Sequence, residues 1–175
     1  HTRGEEEHGR LEMIRAAVTG RYAPLAAALI VVVGANLAIA LLFSALLPIV
    51  PGDYARSGSI AFGFALAGTG LVFAGVAAIS AQISEFGRGA SGLATGVLGA
   101  VYFIRALGYV NQGVLSWFSP IGWAQATRPF VDERWFPLGM LVLLSALLVG
   151  VGFALLDRRD VAAGIIPPKP GSASL

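Results

Sequence analysis

The sequence predicts an all-α protein, a polytopic transmembrane helical bundle of about four spans, with a cytoplasmic amphipathic helix before them and a partly helical outer loop. Three observations predict it. Four apolar stretches, Ala23 to Val50, Ser57 to Ser84, Gly89 to Leu115 and Pro137 to Leu156, fill most of the chain, and Arg105 is the only charge inside them. Each is about long enough to cross a hydrocarbon layer of roughly 30 Å at about 1.5 Å per helical residue. A mean hydropathy of +0.75, with 56% apolar and only 13% charged residues, leaves too little polar surface to cover a soluble globule. Finally, 23 glycines in so apolar a chain suit helices that approach closely in lipid, where small residues are the packing device.

Residues 1 to 22 read as a polar helix-forming segment at the membrane surface: Leu11, Ile14 and Val18 share one face, while Glu5, Glu6, Glu12 and Arg15 cover the rest. The transmembrane region runs from 23 to 156. Pro48, Pro51, Gly52 and Asp53 mark a turn after the first span, and Glu85 to Arg88 separates the second from the third. The outer loop, 115 to 136, carries Trp117, Trp123 and Trp135 among prolines and charges, a density that belongs at a membrane interface. From 157 to 175 the chain becomes a Pro-rich tail or linker. Arg3, Arg10, Arg15, Arg21, Arg88, Arg158, Arg159 and Lys169 fall on one side of the spans, against Arg56, Arg105, Arg128 and Arg134 on the other. The positive-inside rule puts the first group, and with it both ends, in the cytoplasm. His1 in place of Met, and a polar start with no signal peptide, lead us to expect part of a longer polypeptide.

Several chemistries have no residues to perform them. The absence of cysteine excludes disulfides, thiolate metal sites and a cysteine nucleophile. Lys169, followed by Pro170, is the only lysine, so no phosphate-binding loop of the Walker type is present. Both histidines, His1 and His8, lie in the polar N-terminal segment, away from any serine in the spans, and the spans hold no paired carboxylates for a proton relay. No catalytic, cofactor-binding or metal residue is expected, and the basic residues flank the spans rather than forming a nucleic-acid patch.

Asn36 falls near the middle of the first span, where an unsatisfied amide is costly, so it must face a partner helix or a wet cavity. Interhelical hydrogen bonding is the plainer role and contact with a transported molecule the sharper one. Arg105, about 24 Å along the third span at the helical rise, can snorkel to the outer interface, form an ion pair or line a translocation path. Gly92 and Gly96, extended by Gly99, form a small-residue surface suited to packing another helix. Trp123, Trp135 and Tyr109 read as an interfacial belt.

Two further stretches carry a resemblance. Glu5-Glu6-Glu7-His8-Gly9-Arg10-Leu11-Glu12-Met13-Ile14 with Val18-Thr19-Gly20-Arg21 resembles the acidic, glycine-containing cytoplasmic segment of type-2 ABC exporter permeases. Ser119-Pro120-Ile121-Gly122-Trp123-Ala124-Gln125, then Arg128-Pro129-Phe130 and Glu133-Arg134-Trp135-Phe136-Pro137, resembles the outer loop of the actinobacterial polyketide-antibiotic (tetronasin-type) exporter subfamily. So does the ending Arg158-Arg159-Asp160-Val161-Ala162-Ala163-Gly164. The resemblance covers almost the whole chain.

It implies that the four spans are the third to sixth of a six-span half, first or second, and that the acidic segment contains the helix coupled to a separate ABC nucleotide-binding ATPase subunit. Glu7, Arg10 and Glu12 would transmit force to that subunit; Asn36 and Arg105 are the candidates for the translocation path. This chain would need no cofactor of its own, with ATP and Mg held by the partner, and its other partners would be membrane lipid, the remainder of the permease and a small hydrophobic substrate such as a polyketide antibiotic or drug. The location implied is the plasma membrane. The rival from another class is a self-contained four-span channel or membrane scaffold, for which Asn36, Thr69, Ser80, Gln82 and Thr95 would have to line a pore.

Overall fold

The computed structural model describes residues 20–52, 54–84, 86–110 and 114–158. Glu7, Arg10, Glu12 and the expected surface helix, like the tail beyond Arg158, lie outside the described residues. Among those described there are helices and turns but no strand. In chain order they are α1 (Ala23–Leu46), a 3₁₀ turn (Leu47–Ile49), α2 (Arg56–Ile83), α3 (Gly87–Val110), a second 3₁₀ turn (Val114–Phe118), the short α4 (Pro120–Ala126) and α5 (Phe136–Asp157). Helices α1 with its 3₁₀ turn, α2, α3 and α5 are long and apolar enough to cross a membrane.

Proline sets several of the boundaries. Pro24, Pro120 and Pro137 sit in the first turn of α1, α4 and α5, where a missing N–H costs no helical hydrogen bond. Pro48, by contrast, follows the last residues of α1 and converts its end into the 3₁₀ turn. Gly52 then takes φ 149°, a conformation closed to most side chains, and the Tyr54 ring lies against it.

The long helices alternate in direction, and α2 is the central one. It packs against α1 on one side, α5 on another and α3 more loosely. Of its most apolar stretch 39% is buried, against 11% for α1, 11% for α3 and 17% for α5, so α2 is the post on which the others are hung. Its sequence explains why: the residues it buries are nearly all small, including Gly58, Ser59, Ala61, Gly63, Ala65, Gly68, Gly75 and Ala78. A Cβ on Gly63 would fall on the carbonyl oxygen of Ala40 in α1, and one on Gly75 would come 2.6 Å from Leu148 Cβ in α5. In lipid, where apolar surface gains nothing by leaving the solvent, this close fit supplies the dispersion contacts that hold helices together.

Hydroxyls inside the bundle bond back to their own helices. Ser44, Ser59, Thr69, Ser80 and Ser145 each donate to the carbonyl four residues earlier, at 2.7 to 3.0 Å. The outward faces carry exposed Ile30, Val31, Leu41, Phe103, Val142 and Leu143, a surface that fits a bilayer and not water.

Two expectations need correction. The third long helix ends at Val110 instead of reaching Leu115, which belongs to the 3₁₀ turn. Gly108 lies against Ser116, so the chain folds back on itself there. And Gly92, Gly96 and Gly99 of α3 meet no helix among the described residues, with nothing within 4 Å of a Cβ built on any of them.

Candidate functional site

The bundle has two distinct ends. At the terminal end, where Gly20 and Arg158 lie, the Tyr22 hydroxyl donates to Asp157 Oδ1 at 2.5 Å, Arg21 approaches the same carboxylate at 3.7 Å, and the Tyr22 ring meets Phe153 at 6.0 Å. Leu25, Ala78 and Leu156 form a small core just beneath. The bond to Asp157 is the largest of the causes that hold the Tyr22 phenol protonated above its ordinary range. This junction ties the first turn of α1 to the last turn of α5, at the point where the chain leaves for the acidic segment.

The loop end is more elaborate. After α3, the 3₁₀ turn and α4 tuck back onto α2, α3 and α5. Arg105, 9% exposed, points its Nε and a terminal nitrogen at Gln125 Oε1 of α4. The guanidinium therefore does not snorkel to open solvent: it is turned inward and fastens α4 to α3. Ser119 adds a bond to the Val101 carbonyl at 3.3 Å, and Gly122 allows α4 to sit against the Ser116 carbonyl. The Trp123 indole N–H donates to the Trp117 carbonyl at 2.7 Å, which holds the 3₁₀ turn to α4.

From Thr127 the loop returns to α5 by a tight path. Arg134 N–H donates to the Thr127 carbonyl at 2.8 Å, closing a ring of residues around Pro129. Closure requires positive φ at Arg128 (47°) and Phe130 (71°), neither of them glycine, at a cost of about 1 to 2 kcal/mol each. What offsets it is the place found by the Phe130 ring. It sits where Gly58 of α2 has no side chain, with Tyr54 edge-on at 5.3 Å and Phe62 at 6.4 Å; Phe62 in turn meets Phe43 of α1 at 5.4 Å. Beside it the Ser57 hydroxyl donates to Glu133 Oε1 at 3.1 Å.

Of the residues named from sequence, Asn36 lies far from this cluster. Its amide donates to the Val32 carbonyl of its own helix at 2.9 Å, and its Oδ1 rests against Gly70 of α2. That is a helix-packing position, in contact with the backbone of α2. Asn36→Ala is accordingly expected to cost less than about 1 kcal/mol of stability, read by thermal unfolding of the purified protein. A loss of several kcal/mol would mean that the amide does more than pack against α2. Of the residues expected in an interfacial belt, Trp123 is half-buried against Trp117 and Trp135 is exposed, while the side chain of Tyr109 lies outside the described residues. The aromatic ring contacts at this end join Phe130, Tyr54, Phe62 and Phe43, which sequence reasoning did not single out. The one signal for them was the Arg128-Pro129-Phe130 triplet in the outer loop.

Among the described residues no group of three or more His, Asp or Glu is placed to hold a metal. No family model matches the chain. A curated relative does: the chain is 42% identical, over 174 residues or 99% of its length, to the multidrug efflux system permease protein Rv1217c of Mycobacterium tuberculosis. It spans 31% of that relative's length. A chain with four membrane-capable helices is thus similar, along 99% of its length, to one stretch of a multidrug efflux permease.

Proposed function

We propose that this chain is part of the membrane permease of an ATP-driven ABC exporter that moves hydrophobic compounds, polyketide antibiotics or drugs among them, out of the cell. The observation that carries the reading is the 42% identity to a multidrug efflux permease along 99% of the chain. The four apolar helices are consistent with it, since a permease must supply the spans. On this reading ATP and Mg are held by a separate nucleotide-binding subunit, the protein lies in the plasma membrane, and the terminal end faces the cytoplasm with the loop end outside.

The acidic segment carrying Glu7, Arg10 and Glu12 then bears on the ATPase subunit, and the Tyr22–Asp157 junction stands between that segment and the helix ends. The mechanism is alternating access: closure of the ATPase subunits displaces the segment, and the helix bundle exchanges an inward for an outward opening. On this reading the substrate is held by apolar surfaces of the intact permease, which common residues can build.

A cysteine introduced at His8 of the intact permease, with the ATPase subunit co-expressed, provides the test, because this chain has no cysteine of its own. A cross-link to the ATPase whose yield changes with ATP is the expected result. Absence of any adduct from positions 5 to 15, with both proteins in the membrane, would rule out the coupling assignment. In the same preparation, replacing Glu7, Arg10 and Glu12 together by Ala is expected to abolish drug-stimulated ATP hydrolysis while membrane insertion is retained; unchanged stimulation would remove those three residues from the coupling path.

A further inference from the structure

The element between α3 and α5 is fastened on two sides in two different ways. Towards α3 the fastening is directional and polar: Arg105 to Gln125, Ser119 to the Val101 carbonyl, and the backbone of Gly108 lying against Ser116. Towards α2, beside the packing of α4 on that helix and the Ser57–Glu133 bond, the loop after α4 is held by one ring in one notch. The Phe130 side chain occupies the space left by Gly58, where a Cβ would come 2.5 Å from its Cδ1 and 2.7 Å from its backbone nitrogen. To reach that notch the chain holds both Arg128 and Phe130 at positive φ. Backbone energy at these residues favours departure and contact of the ring with Tyr54 and Phe62 favours staying. Opposed terms of this kind make a two-state element, whereas hydrogen bonds on the α3 side make a pivot.

We infer that residues 114–135 form a hinged cap over the loop end of the bundle, with its hinge at Arg105–Gln125 and its releasable latch at Phe130 on Gly58. The position of the latch supports this. Phe130 meets Phe62 of α2, the ring that also meets Phe43 of α1, so its release removes one partner from the aromatic contact between α1 and α2 at this end. Exposed Ser57 and half-buried Glu133 separate in the same movement. That the cap opens when a compound is exported rests on the proposed function; that it is latched by Phe130 does not.

The experiment uses the intact permease in liposomes, with any cysteines elsewhere replaced. Thr127, fully buried at the join between α4 and the loop, is changed to cysteine and labelled with a membrane-impermeant maleimide. Labelling is expected to be slow in this background and at least about tenfold faster when Gly58→Ala fills the notch or Phe130→Ala removes the ring. Equal rates in all three proteins overturn the latch. A second protein carries Ser57→Cys and Glu133→Cys, joined by a short bifunctional thiosulfonate. Bridging is expected to stop dye efflux, and a reducing agent to restore it. Efflux undiminished by a near-complete bridge overturns the cap as a moving part. Faster labelling in the notch variants, together with no efflux from any unbridged protein, establishes the latch and counts against the export reading alone.

Discussion

Gly63→Val is expected to separate α1 from α2 and to lower stability by about 3 kcal/mol, the upper end of the usual cost of overpacking. At this position a Cβ would fall on the Ala40 carbonyl oxygen, with the Ala40 carbonyl carbon at 3.2 Å and Ser44 Oγ at 3.0 Å. A flexible side chain could rotate aside; a carbonyl held in a helix cannot. Ala40 is fully buried, so the strain has no exit to the surface, and the two helices must move apart along their contact. Thermal unfolding of the purified protein in detergent measures the loss. Gly34→Ala is the control, since nothing lies within 4 Å of a Cβ there and the better helix former is expected to be neutral or to stabilise by about 0.5 to 1 kcal/mol. Equal shifts in the two proteins would mean that the Gly63 contact does not set the spacing of α1 and α2.

Arg105→Ala is expected to release the outer element. Two opposing terms decide the size of the effect. An arginine at the centre of a span costs about 2.5 to 3.5 kcal/mol on insertion scales, and its removal would recover that amount. Arg105, however, is about one and a half turns from the end of α3 at Val110, where the insertion cost is small. What remains is the loss of a charged hydrogen bond to Gln125, about 1.5 to 3 kcal/mol. At about 2 kcal/mol the open population of residues 114–135 rises roughly 30-fold, and limited proteolysis within this stretch should accelerate by a similar factor when opening is fast relative to cleavage. Arg105→Lys keeps the charge but presents a single point donor in place of the planar fork, and should fall between the two. Cleavage of Arg105→Ala at the normal rate would show that α4 is held in place by its packing alone.

Hydropathy and length located the four long helices to within a few residues, because bilayer thickness is a constraint that each span meets by itself. The end of the third was misplaced for a physical reason: Val114, Leu115, Trp117 and Phe118 are as apolar as the helix they follow, and hydropathy does not register a chain reversal. Depth along the span placed Arg105 towards the outer boundary, but its partner, Gln125, lies on a separate short helix that no periodicity links to α3. The spacing of Gly92, Gly96 and Gly99 marks a surface that another helix could approach; it does not say whether one does. The glycines of α2 that do seat a neighbour fall seven apart in two pairs, Gly63 and Gly70 against α1 and Gly68 and Gly75 against α5, with Gly58 under Phe130, so no single i, i+4 stripe marks them. Phe130 was legible only as one residue of a familiar triplet, because its positive φ is imposed by the loop closing around Pro129.

A helix like α2, which seats its neighbours in the gaps where side chains are missing, reverses the ordinary logic of a mutational scan. Truncation to alanine has nothing to remove at Ala61, Ala65, Ala67 or Ala78, and at Gly58, Gly63, Gly70 and Gly75 alanine is itself the intrusion. A conventional scan would therefore return silence at every alanine of the central helix and report its most severe losses as gains of a methyl group. The informative survey of this molecule enlarges residues, and the map it draws would be a cast of the spaces between helices.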